Sequence, residues 1–143
     1  NELEAEIGEQ TQKISRRCVQ FLLDDKALQP YHDQVAEKNH QLEGVKKVIE
    51  AKKLEEEVNQ IAADLELLID IVTNLDIEDT AHATKIVDNI SLIFATINQL
   101  KAALKNKKKA LGSAEAQADF SAQLKLIDQS IINYIDSWNI YII

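Results

Sequence analysis

Nine lysines in two groups have the side-chain chemistry to contact phosphate. The groups are Lys46, Lys47, Lys52 and Lys53, and then Lys101, Lys105, Lys107, Lys108 and Lys109. If the helices that carry them fold back on one another, the two groups lie level and could contact a nucleic-acid backbone. Five glutamates between residues 43 and 57 interleave with the first group, and cations at a helix C-terminus also stabilise the helix dipole. A solvated helix face is therefore the favoured alternative, and any nucleic-acid binding would be weak.

Other residue types capable of chemistry do not occur at the spacings that catalysis or metal binding requires. The glycines Gly8, Gly44 and Gly112 are isolated, so the sequence contains no phosphate-binding loop. The histidines His32, His40 and His82 lack the i, i+4 spacing of helical zinc ligands. A di-iron bundle would need a Glu-x-x-His pair on each of two helices; the sequence has one, Glu37 with His40, and its acids fall outside the apolar stripe. We predict no catalytic residue, no metal and no cofactor.

The single cysteine, Cys18, is predicted to be a buried structural thiol. It lies between Ile14 and Phe21 on the apolar side of its helix, although Arg16 and Arg17 nearby could lower a thiol pKa. One cysteine cannot form an internal disulfide, which favours a reducing, cytoplasmic location.

The composition predicts an all-α fold. Of 143 residues, three are glycine, one is proline and 5% are aromatic, whereas helix-forming residues dominate. The net charge of −8 is unevenly placed, at −10 in residues 1–79 and +2 in residues 80–143, and no stretch approaches the roughly 18 apolar residues of a membrane span. The sequence contains no methionine, so we expect an internal fragment of a larger protein, folded as a single helical bundle.

Helix signals predict four long helices at about residues 2–23, 31–73, 79–111 and 114–139. Pro30 suits the first turn of the second helix, and Gly44 is expected to be tolerated inside it. Gly112 is expected to end the third helix in a left-handed conformation, and Ser113 to cap the fourth. The expected architecture is an elongated antiparallel bundle with coiled-coil-like packing, four helices thick in its middle.

Apolar residues at alternating three- and four-residue spacings define the predicted buried faces. The second helix changes heptad frame by two residues between Ile49 and Leu54, where we expect it to change partners or drift. The fourth helix is expected to bury its own ladder on the bundle, which comprises Phe120, Leu124, Ile127, Ile131, Tyr134 and Trp138. The C-terminal run around Trp138 and Tyr141 is apolar enough either to pack on the bundle or to mediate self-association.

Several helical strings resemble one known family. They are residues 21–23, 29–33, 74–80, 86–90, 98–101 and 118–126, with Asn133 and Tyr134. Together they resemble a helical segment of large bacterial AAA-type DNA repair ATPases. The resemblance implies a coiled-coil or bundle region of a multidomain ATP-binding protein, with its nucleotide site elsewhere in the parent chain.

The function expected on this basis is a non-catalytic spacer or interaction module. It would couple the ATPase of the parent protein to a protein partner or to another copy of itself. Two alternatives remain: a weak nucleic-acid contact through the lysines, or a free-standing partner-binding bundle unrelated to ATPases.

Overall fold

A computed structural model describes residues 1–75 and 77–142. In these ranges the chain forms four helices, α1 (Glu2–Leu23), α2 (Gln29–Glu43), α3 (Val48–Asn74) and α4 (Thr80–Ile142), and no strand. The all-α fold is therefore confirmed. Asp76 of the predicted turn and Ile143 of the apolar C-terminal run lie outside the described residues.

Helix α1 has the predicted bounds, and its N-terminus carries the expected complementary groups. The Asn1 side chain accepts a hydrogen bond from the Leu3 backbone N–H at 3.2 Å, and Glu2 and Glu4 lie in the first turn. Carboxylates at this end stabilise the positive end of the helix dipole. Burial begins only at Ser15, so the first three turns of α1 project from the rest of the molecule.

The predicted second helix, 31–73, is instead two antiparallel helices. The chain turns at residues 44–47, and Lys38 of α2 pairs with Glu57 of α3 at 2.7 Å. Pro30 does lie in the first turn of α2. This turn falls just before the change of heptad frame predicted at Ile49 to Leu54. The frame changes because α2 and α3 are separate helices whose apolar sides face each other. The prediction that Gly44 lies inside a continuous helix was therefore wrong.

The predicted third and fourth helices form one continuous helix of 63 residues, α4. Asp79 caps its start by accepting a hydrogen bond from the Ala81 N–H at 2.9 Å. At about 1.5 Å per residue, α4 is roughly 95 Å long. The left-handed terminator at Gly112 and the cap at Ser113 were wrong, since no glycine among the described residues has a positive φ.

The core is formed where α2 and α3 pack against the first half of α4. Helix α3 runs antiparallel to α4, whereas α2 runs parallel to it, and α1 lies against the start of α4. One apolar face of α4 is fully buried by this packing and contributes Ile86, Ile90, Ile93, Ile97, Leu100 and Leu104. The body is three helices thick, and the fourth layer expected from residues 114–139 does not exist.

The hydropathy of the helices is too low for a bilayer crossing. In the described part of the chain, none of them is both long enough and apolar enough to span a membrane.

Candidate interaction surface

The turn between α2 and α3 is fixed by two charged side chains from α4. The Lys107 ammonium donates to the Leu42 carbonyl at 2.9 Å and to the Glu43 carbonyl at 3.4 Å, at the C-terminus of α2. The Glu115 carboxylate accepts from the Val48 N–H at 2.9 Å, at the N-terminus of α3. Each charge complements the dipole of the helix end it contacts. These contacts locate the end of the three-helix body at Glu115.

Beyond Glu115, α4 continues without any neighbouring helix. Leu111 and Gly112 are still partly buried, but every residue from Ser113 to Tyr141 is exposed. We call residues 116–142 the α4 extension; at about 1.5 Å per residue it projects roughly 40 Å from the body. An isolated helix of this length gains no tertiary packing, which normally supplies most helical stability in proteins.

One face of the α4 extension carries the apolar ladder that the sequence suggested would be buried. This face, the distal stripe, comprises Phe120, Leu124, Ile127, Ile131, Tyr134 and Trp138. Its members are 45% to 64% exposed, and Tyr141, which continues the spacing, is 89% exposed. The Tyr134 and Trp138 rings meet edge to face at 6.3 Å. The expected burial of this ladder on the body of the same chain was therefore wrong.

The distal stripe and the buried face of α4 point in opposite directions. Both follow a heptad spacing, but Phe120 falls one residue short of the frame that starts at Ile86. With about 100° of rotation per residue, the centre of the distal stripe lies roughly 160° around the helix from the buried face. A partner on the distal stripe would therefore approach from the side of α4 away from α2 and α3.

Two of the nine lysines are used within the fold. Lys107 is half-buried against the end of α2, and Lys108 pairs with Glu55 of α3 at 2.7 Å. Lys101 is half-buried, while Lys46, Lys47, Lys52, Lys53, Lys105 and Lys109 are exposed. Val48 lies opposite Glu115, and Glu55 lies opposite Lys108. The two groups of lysines are therefore offset along the helices by about ten residues, or roughly 15 Å, from the level alignment that the sequence predicted.

Two carboxyl groups in this region have lowered pKa values. The pKa of Glu50 lies below 4.5 mainly because its carboxylate accepts the Lys46 N–H, with a weaker bond from Lys47 N–H at the start of α3. The pKa of Glu57 is lowered mainly by its hydrogen bond from the Lys38 ammonium. Glu50 caps the start of α3, and Glu57 forms a surface ion pair with Lys38 of α2. Both contacts stabilise the α2–α3 hairpin.

The remaining predicted positions are dispersed over the surface. His32, His40 and His82 are exposed; His40 and His82 lie near acids three residues away. Cys18 is partly buried rather than enclosed. Across residues 1–75 and 77–142, no three His, Cys, Asp or Glu side chains are grouped so that they could hold a metal ion.

Sequence reasoning missed where the surface begins. Glu115 fell inside the predicted fourth helix and was given no role, although an acid can cap any helix N-terminus that folding brings near it. Phe120 was included in the apolar ladder, but the one-residue offset from the first half of α4 was the available signal that the two faces diverge.

Fold and surface together define an all-α bundle that presents a single, unaccompanied helix. The chain belongs to the family described as domain of unknown function (DUF7902), whose model matches residues 26–110. The match covers α2, α3 and most of the part of α4 packed on them, whereas α1 up to its last residue, Leu23, and the α4 extension lie outside it. Searches of curated proteins and of solved structures found no match.

Proposed function

We propose that this chain is a non-catalytic interaction module, in which the three-helix body supports the α4 extension and the extension binds protein. The observation that carries the proposal is the exposure of the distal stripe. Contiguous apolar surface of this size on a soluble domain marks an interaction site. Helices α2 and α3 already cover the opposite, buried face of α4, so the stripe requires an additional partner.

The buried positions of the body support the role of a rigid support. Six consecutive heptad positions of α4, from Ile86 to Leu104, are no more than 3% exposed. Because a packed core holds α4 along half its length, the α4 extension leaves the body in a fixed direction. That geometry suits a spacer as well as a docking element.

Photocrosslinking in cells that express the full-length parent protein tests the proposal. A benzophenone amino acid is placed at Tyr134 on the distal stripe, or at Gln129 on the opposite side of the same helix. We expect crosslinked protein from position 134 and much less from position 129. Equal crosslinking from the two positions, or none from either, would contradict the proposal.

The wider setting that we propose is a bacterial DNA repair ATPase in the cytoplasm, with this chain linking its motor to a partner. That setting is supported by the sequence resemblance alone. Reading the gene around the segment tests it, since a Walker-type loop in the same open reading frame is expected. An open reading frame without such a loop would contradict the ATPase setting but not the proposed interaction module.

The alternative, a weak nucleic-acid contact, is supported by the six exposed lysines. Fluorescence anisotropy with duplex and single-stranded DNA at low and moderate salt is the relevant measurement, because phosphate contacts weaken as salt rises. Substituting Lys52, Lys53, Lys105 and Lys109 by Glu should abolish such binding. Binding that is absent at low salt, or unchanged in this variant, eliminates the alternative.

A further inference from the structure

We propose that the occupant of the distal stripe is the distal stripe of a second copy of this chain, forming a two-helix contact between α4 extensions. This inference rests on the proposed function, because it names the partner of the same surface. Three properties of the α4 extension carry it: the area of the stripe, the charge of its flanks and the direction in which it faces.

The exposed area of the stripe matches that of a standard protein interface. From their exposed fractions, the six stripe side chains and Tyr141 present on the order of 800 Å². A specific protein interface of standard size buries about 800 Å² on each partner. Complete burial of two identical stripes would therefore reach that size without any contribution from the body.

The flanks of the stripe contain almost no charge. In a two-helix contact, the positions beside the core select the partner through their charges. Here those positions are Ser121, Gln123, Asp128, Ser130, Ile135 and Ser137, of which Asp128 alone is charged. A different, charge-selected partner would find little to recognise, whereas an identical helix meets little repulsion. The flanks thus favour a second copy.

The first half of α1 also exposes apolar side chains, among them Leu3, Ile7 and Ile14. A head-to-tail contact between α1 and the α4 extension of another copy is disfavoured by charge. Residues 2–9 carry four glutamates, and the α4 extension carries Asp119, Asp128 and Asp136 against one lysine, Lys125. Residues 2–9 have a net charge of −4, twice the −2 of a second α4 extension, so two α4 extensions repel each other less than an α4 extension and the start of α1 do.

The direction of the stripe allows the pairing sterically. Because the stripe faces roughly 160° away from the face that packs on α2 and α3, each body lies on the outer side of the paired helices. The two bodies do not compete with the second helix for the stripe. This is the geometry that a two-fold dimer requires, since each copy contributes the same surface.

The test is the mass of the purified chain measured by analytical ultracentrifugation over a dilution series. The wild-type chain should approach twice its 16.1 kDa mass as concentration rises. Ile127→Glu with Ile131→Glu places two charges in the stripe and should give a monomer throughout. Gln129→Glu with Asn133→Glu adds the same charge on the opposite side of the helix and should leave the dimer intact.

Trp138 provides an independent readout, because it is the single tryptophan of the chain and lies in the stripe. Its emission should shift to shorter wavelength as the dimer forms, and the Ile127→Glu, Ile131→Glu variant should show no such shift. Circular dichroism of that variant should show an unchanged thermal midpoint for the body, since both positions are exposed and distant from the core.

A wild-type chain that stays monomeric at every concentration overturns the inference, as does a mass of three or more copies. A dimer that survives the two glutamates in the stripe also overturns it. If the chain is monomeric but position 134 still crosslinks to a protein of different mass in cells, the proposed function stands and this inference fails. If neither measurement detects association, both fail.

Discussion

Lys107 and Glu115 show how single side chains set the end of the body. They lie eight residues apart on one helix and contact the two helix ends of a turn about 65 residues earlier in the sequence. The lysine contacts carbonyl oxygens and the glutamate contacts an N–H, as the helix dipoles require. Neither contact could be predicted from the residues adjacent to Lys107 or Glu115 in the sequence.

Replacing Lys107 by Met should lower the free energy of unfolding by about 1 kcal/mol, because two carbonyls at the end of α2 lose a charged donor. Lys105→Met is the matched control, since Lys105 is exposed two residues away. Urea unfolding monitored by circular dichroism measures both changes. An equal loss in the two variants would show that Lys107 does not act through the α2 terminus.

The lowered pKa of Glu57 predicts how its contribution to stability depends on pH. Its folded-state pKa lies below the ordinary 4.5, so the folded chain binds the proton more weakly than the unfolded chain. The stabilisation is therefore complete above pH 4.5 and is lost as pH falls through the lowered pKa. The same sign applies to Glu50 at the start of α3.

Urea unfolding of the wild-type chain and of Glu57→Gln at several pH values measures this dependence. The difference in unfolding free energy should be largest near neutral pH and should shrink as the solution becomes acidic. A difference that stays constant across the titration would mean that the Lys38 contact does not stabilise the charged form of Glu57.

At the scale of elements, the sequence predicted helix content well but placed two of the helix boundaries wrongly. The frame shift near Ile49 signalled the break between α2 and α3, yet Gly44 alone is a weak terminator, and the contacts that hold the turn come from distant residues. Gly112 followed by Ser113 was a strong local signal for the end of one helix and the start of another. It was overridden because α2 already occupies the side of the bundle that a returning fourth helix would need.

The residues after Gly112 also favour continuation of α4. Ala114, Glu115, Ala116, Gln117 and Ala118 are good helix formers, and no proline follows. The distal stripe could be identified from the sequence as one apolar face. The sequence did not predict that the distal stripe lies outside the body, because its burial depends on which helices compete for the same side of α4.

Substituting Gly112 by Ala should stabilise the chain by about 0.5–1 kcal/mol, the ordinary gain inside a helix. A Cβ at this position would meet Val48 Cγ2 at 4.0 Å, an ordinary van der Waals distance. The opposite result, a loss of stability in thermal unfolding, would indicate the left-handed terminator that the local sequence suggested.

Ser113→Ala provides a companion measurement to Gly112→Ala. In a continuous helix this change should be neutral or slightly stabilising. If Ser113 capped a separate helix, its replacement would cost about 1 kcal/mol.

At the scale of the whole molecule, the chain should scatter as a rod. A compact protein of 143 residues has a radius of gyration of roughly 15 Å, whereas a body on a helix of about 95 Å should give roughly 25–30 Å. Small-angle scattering of the Ile127→Glu, Ile131→Glu variant avoids any contribution from a dimer. A value near 15 Å would mean that the α4 extension folds back onto the body.

The continuity of α4 through Gly112 makes the chain sensitive to insertions and deletions in a particular way. One residue added between Glu115 and Phe120 would lengthen the helix by only about 1.5 Å but would turn the distal face by about 100°. Seven added residues would lengthen it by roughly 10 Å and turn that face by only about 20°. Homologues and engineered variants should therefore tolerate length changes here in whole heptads far better than in single residues.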